Sequence, residues 1–107
     1  MALFRVFTKM NINEGVKAFQ KNTGSFLLDV RTEAEYARGH IAGSKNVPLQ
    51  TLEAVAEVVY NKTALLYVYC QSGVRSAKAV EQLRKMGYSN VIDIGGIQNY
   101  NGETVKW

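Results

Sequence analysis

The chain has one cysteine, one histidine and one proline. A single cysteine excludes an intramolecular disulfide and any CxxC metal or redox pair. It also leaves no internal resolving thiol, so a covalent intermediate on Cys70 must pass to another molecule. One cysteine with one histidine is too few for the usual metal-ligand sets, so neither a metal nor a cofactor is expected. No stretch is apolar enough to span a membrane, and Met1 to Lys9 lacks the apolar run of a signal peptide. A reduced, cytoplasmic setting is the expectation. Internal repeats, low-complexity segments and linkers are missing too. Lysine and arginine outnumber acidic residues 13 to 9, giving a net charge of +4. That mildly favours anionic small molecules or acidic partner surfaces. The basic residues are scattered, however, with no dense run, and read mainly as solvated surface. The partners expected are small molecules or a protein thiol, with no nucleic acid and no membrane, and the chain is expected to be a monomer.

What is present is ordinary for a globular chain: 107 residues, 47% hydrophobic and 21% charged. This length suits one domain over residues 1–107, with a single hydrophobic core. Leu3–Thr8 reads as a first strand. Asn11 or Asn13 is placed to cap a helix carrying Ile12, Val16 and Phe19, ending near Asn22-Thr23-Gly24. Ser25–Leu28 is a second strand. Thr32 and Glu35 have capping-box spacing, which predicts a short helix from Thr32 to about Ala37. After the turn Gly39-His40-Ile41-Ala42-Gly43, Lys45–Val47 is a brief edge strand stopped by Pro48. Leu52, Val55, Ala56, Val59 and Tyr60 repeat at helical intervals and predict a helix from about Thr51 to Tyr60. Ala64–Tyr69 is apolar without alternation, the pattern of a strand buried on both faces. A helix from about Ser76 to Met86 buries Ala79, Val80, Leu83 and Met86, with Gly87 as its C-terminal cap. Val91–Ile94 is a fifth strand, and Gly95-Gly96 turns the chain into a last short helix around Ile97–Tyr100. Alternating strands and helices predict an α/β fold, a parallel five-stranded sheet with helices on both faces.

The chemistry is expected at Cys70-Gln71-Ser72-Gly73-Val74-Arg75-Ser76, where the central strand turns into a helix. In open α/β sheets ligands bind beyond the carboxyl ends of the strands. A lone cysteine is usually a small core hydrophobe. The flanking strand, Gly73 and Arg75 favour a reactive thiol instead. None of the five residues after Cys70 is proline, so each brings an N–H that can face an anion beside a helix N-terminus. A free thiol titrates near ~8.5, and lowering that by two units takes about 2.7 kcal/mol. A helix dipole gives only about 0.3–1 kcal/mol, so charge-assisted N–H bonds and Arg75 must supply the rest. Gly73 allows a positive φ or a close approach to ligand.

Three stretches in this order resemble a known family. They are Leu27-Leu28-Asp29-Val30-Arg31-Thr32-Glu33-Ala34-Glu35-Tyr36 leading into Gly39–Pro48, then Cys70–Ser76, then Gly95-Gly96-Ile97. Together they are similar to a single-domain rhodanese of the thiosulfate sulfurtransferase type, over nearly the whole chain. The resemblance implies a rhodanese-like three-layer sandwich. It implies transfer of a sulfane sulfur from a donor such as thiosulfate to a thiophilic acceptor (cyanide, a thiol or a protein cysteine). Cys70 would be the nucleophile and would carry a persulfide, with Gln71, Ser72, Gly73, Val74 and Arg75 holding the substrate. Tyr100 stands where many members have tryptophan.

The other residues have plainer readings. Arg75 either binds the anion or pairs outward with Glu35 or Asp29. Asp29 and Arg31 read as a structural ion pair on the site's side of the sheet. Ser72 and Ser76 offer hydroxyls, Ser76 as a helix cap. His40 reads as part of a fixed turn, because sulfur transfer needs no general base. Asp93 serves the turn, and the glycine pair either lets backbone approach the Cys70 loop or permits a tight connection. A phosphatase or arsenate reductase is the rival enzyme class. Those sites have one residue more between Cys and Arg than Gln71-Ser72-Gly73-Val74 provides, and the smaller ring suits a sulfur better than a phosphate. A persulfide carrier or sensor docked to a partner protein is the second alternative.

Overall fold

The computed structural model describes residues 9–106. Asn11 caps the first helix, α1 (Ile12–Lys21), its side chain accepting from the Glu14 amide at 2.9 Å. Strand β1 (Phe26–Asp29) follows, then α2 (Glu33–Arg38) with the expected Thr32/Glu35 capping box, and the two-residue strand β2 (Lys45–Asn46). A 3₁₀ segment, Leu49–Ala54, runs into α3 (Val55–Val58). Strand β3 (Leu65–Cys70) leads to α4 (Val74–Lys85), and β4 (Asn90–Gly96) to a 3₁₀ turn at Ile97–Asn99.

The strands pair in parallel in the order β2-β1-β3-β4, with β3 central. Alternation along β3 sorts its side chains between two cores. Leu66, Val68 and Cys70 join Leu28, Leu52, Val55, Ala79, Val80 and Leu83 beneath α3 and α4. Tyr67 and Tyr69 join Leu27, Ile94, Ile12 and Val16 beneath α1. Burying one such side chain contributes about 1.5–3 kcal/mol. A parallel sheet gains this on both faces only when helices cover both. The layers are therefore α1, sheet, and α3 with α4. Tyr100 packs half-buried against the α1-side cluster.

Several expectations need correction. Four strands lie within the described residues rather than five; the expected strand Leu3–Thr8 falls outside them. At the edge of β4, Lys9 makes a parallel bridge to Asp93, and the Met10 amide donates to the Asp93 carbonyl at 2.9 Å. The helix expected over Thr51–Tyr60 is a 3₁₀ segment kinked at Thr51 (φ −129°) and one α-turn. Leu49, Leu52 and Val55 face the core at intervals of three, which matches 3₁₀ geometry rather than α. Val59 is already extended, so Tyr60 points to solvent, 85% exposed. Helix α4 begins at Val74, two residues earlier than expected, and Gly73 (φ 103°) precedes it where Ser76 was expected to cap. Its far end is a Schellman turn, in which Gly87 N–H donates to Arg84 O at 3.0 Å and Tyr88 N–H to Leu83 O at 3.1 Å.

Candidate active site

Cys70 is the last residue of β3, and Gln71–Gly73 carries the chain from it into α4. The first amides of an α-helix have no intrahelical acceptor. Here the sulfur supplies one: Cys70 Sγ accepts from Gly73 N–H at 3.0 Å and from Ser76 N–H at 3.3 Å. Ser76 is the third helical residue, whose amide a capping side chain ordinarily takes. Thus Cys70 does what Ser76 was expected to do. Five amides were expected around the sulfur, and these two are hydrogen-bonded to it. Cys70 is fully buried, its neighbours on the α4 side of the sheet apolar. The two amides aimed at its sulfur distinguish it geometrically from the apolar side chains around it.

The backbone holds this cup shut from the β4 side. Gln98 N–H donates to Gln71 O at 3.2 Å. A methyl group on Gly96 would overlap Gln71 O and lie 2.7 Å from Ser72 Cα. Of the two roles open to the glycine pair, close approach is therefore the one Gly96 fills. Gly96→Ala is expected to destabilise by about 1–3 kcal/mol, because main chain rather than a flexible side chain must move. Urea unfolding checks this, and a midpoint equal to that of the parent would contradict the contact.

Two arginine–carboxylate pairs frame the loop. Arg31 Nε and Nη2 grip the carboxylate of buried Asp29 at 2.8–3.1 Å. The same guanidinium reaches Gly39 O at 2.7 Å and Gln71 Oε1 at 3.2 Å. The expected structural pair is thus present, and it also touches the loop. Arg75 takes the outward alternative: its Nη1 and Nη2 donate to Glu35 Oε1 and Oε2 at 2.7 and 2.9 Å. Glu35 meanwhile accepts from Thr32 N–H at 3.0 Å, so one carboxylate caps α2 and anchors α4.

These bonds lower the Glu35 pKa from 4.5 to about 2, the Arg75 hydrogen bond being the largest cause, against desolvation. The sign of the resulting pH dependence follows. Between those two values the unfolded chain binds more protons, so the contribution is complete above about pH 4.5 and is lost as pH falls toward 2. Glu35→Gln should therefore be less stable than the parent at about pH 6, with the gap narrower at about pH 3. Urea unfolding at both values checks this, and a gap that widens on acidification would contradict it.

His40 belongs to the scaffold, as its turn context suggested. It is buried and stacks on Tyr36 with ring centres 3.6 Å apart; its Nδ1 lies 2.7 Å from Tyr36 O. Its backbone pairs with Val105. Ser72 is exposed and Gln71 half-buried, both on the outer wall of the loop. Sequence reasoning missed the side-chain link from Asp93 to Ser76, at 2.8 Å. The available signal was a carboxylate at the carboxyl end of a strand, where sites form. Among the described residues, no group of three or more His, Cys, Asp or Glu is placed to hold a metal, and no helix is long and apolar enough to cross a membrane.

A family model described as the rhodanese-like domain matches residues 13–103. The thiosulfate sulfurtransferase PspE of Escherichia coli (strain K12) is 36% identical over 80 residues, covering 74% of this chain and 77% of that protein. The putative sulfur carrier protein YrkF of Bacillus subtilis (strain 168) is 35% identical over 79 residues. That match covers 73% of this chain but 42% of YrkF, so the chain spans under half of that relative. The crystal structure of a rhodanese-like domain protein from Staphylococcus aureus superposes with a TM-score of 0.78 at 30% identity, over 94% of this chain and all of that one.

Proposed function

This chain belongs to the rhodanese-like domain family, and from that footing we propose that it is a sulfurtransferase working through a persulfide on Cys70. The observation that carries the reading is the Cys70 sulfur held by the amides of Gly73 and Ser76 at the start of α4. In the first half-reaction the Cys70 thiolate attacks the outer sulfur of a donor such as thiosulfate. A Cys–S–S bond forms, the donor's S–S bond breaks, and its electron pair leaves with sulfite. In the second, a thiophilic acceptor attacks the outer persulfide sulfur and restores the thiolate. The electron pair travels with the bonds, so no redox cofactor is called for. Amides that hold the thiolate also hold the persulfide anion, which is oxyanion-hole chemistry applied to sulfur.

Gln71, Ser72, Gly73 and Val74 form the wall a donor must pass. Cys70 has no exposed surface, so donors reach it as this short segment shifts. Arg75, tied to Glu35, contributes by anchoring α4 and only secondarily by its charge. Asp29, Arg31 and Ser76 support the loop from below.

The test is intact-mass spectrometry after exposure to thiosulfate. A species heavier by one sulfur should appear and should be removed by cyanide, while phenyl phosphate is left unhydrolysed. An unmodified mass, or phosphate turnover, overturns the assignment. The naming of YrkF as a putative sulfur carrier favours a second reading, in which the acceptor is a partner protein's cysteine. Both readings share the Cys70 persulfide. Faster sulfur release to a protein thiol than to small thiols would select the carrier.

A further inference from the structure

Asp93 is expected from the sequence to do no more than serve the turn before Gly95 and Gly96. In the fold its Oδ1 accepts from Ser76 Oγ at 2.8 Å and from Gly95 N–H at 3.0 Å. Ser76 is the residue whose amide reaches Cys70 Sγ at 3.3 Å. The Ser76 hydroxyl also lies 3.1 Å from Gly73 O, but its single proton favours the charged acceptor. Asp93 arrives here through an irregularity in the sheet. Val68 pairs with Asp93, whereas Tyr69 pairs with Gly95, so Ile94 is the extra residue of a bulge. Its main chain is fixed as well, since the Asp93 carbonyl accepts from Met10 N–H at 2.9 Å. Both Asp93 and Ser76 are buried, which shields this chain of bonds from competing water.

We propose that Asp93 is a positioning residue for the Cys70 centre: by fixing the Ser76 hydroxyl, it holds the Ser76 amide against the sulfur. The proposal rests on the sulfur-transfer reading for what the sulfur does, but its geometry is independent of the donor. It also makes a distinction about charge. A buried carboxylate near an anionic sulfur repels it, so Asp93 acts through its acceptor oxygen and not through its charge.

The test compares Asp93→Ala, Asp93→Asn, Ser76→Ala and the double alanine variant. The readout is the rate at which iodoacetamide alkylates the only cysteine, followed by intact mass near neutral pH. This readout needs no sulfur donor, so its outcome stands whether or not persulfide forms on thiosulfate. Asp93→Ala and Ser76→Ala should each slow alkylation by about tenfold, the scale of one charge-assisted hydrogen bond. The double variant should be no slower than either single one, since both break the same link. Asp93→Asn retains the acceptor oxygen and should restore the rate to within about threefold of the parent. Should Asp93→Ala fail to fold, Ser76→Ala and Asp93→Asn decide the matter between them. Unchanged or faster alkylation in the alanine variants, additive losses in the double variant, or an asparagine variant as slow as alanine overturns the proposal.

Discussion

Cys70→Ser is expected to fold like the parent and to transfer no sulfur. The substituted oxygen occupies nearly the same place and still accepts from the Gly73 and Ser76 amides, so the start of α4 keeps an acceptor. The loss lies in the chemistry. A serine hydroxyl is a weak nucleophile without an adjacent base, and an oxygen cannot carry the persulfide. Removing a nucleophile outright costs at least on the order of 10³-fold in turnover, and here the residual rate should be the uncatalysed one. Thiocyanate formation from thiosulfate and cyanide gives the rate, and far-UV circular dichroism with a melting curve gives the fold. Retained transfer in a properly folded variant would mean that the nucleophile is misassigned.

Arg31→Leu should produce the largest loss of stability. Asp29 is fully buried, and its carboxylate faces the Arg31 guanidinium, 5% exposed, at 2.8 Å. Truncating the cation strips the guanidinium from the buried carboxylate, which keeps the Arg31 amide at 2.9 Å. Breaking a buried ion pair from one side costs about 3–5 kcal/mol, against a total stability of about 5–15 kcal/mol for a domain. The melting temperature should fall by about 10–30 °C. Asp29→Asn in the same chain should recover part of this, because it removes the unpaired charge and keeps the acceptor. Urea unfolding of the single and double variants checks both statements. A single variant within about 1 kcal/mol of the parent would show that the pair does not hold the loop.

How much of this was legible in the sequence depended on how far apart the interacting residues lie. Thr32 and Glu35 are three residues apart, and their capping box forms as their spacing predicts. The α4 Schellman turn at Gly87 is equally local. The apolar run of β3 reported its burial on both faces directly. Leu52, Val55 and Val59, by contrast, fit an α-helical period and sit on a mixed 3₁₀ and α path. The period was right that these three are buried, but it also marked Ala56 and Tyr60, which are exposed, and it misjudged the backbone that carries them. Arg75 could be assigned two roles because its partner lies 40 residues away, and only the packing of α2 beside α4 selects Glu35. Asp93 and Ser76 are 17 residues apart, and their meeting depends on a bulge that no local signal in Val91–Gly96 announces. The proposed nucleophile was the plainest candidate, because strand, turn and helix meet at one cysteine.

The sulfur proposed to accept cargo is also the atom from which α4 takes its first polar support. Whatever is attached to that atom alters the footing of the helix that packs over the sheet. On the proposed chemistry, loaded and empty forms are thus two differently founded versions of one fold.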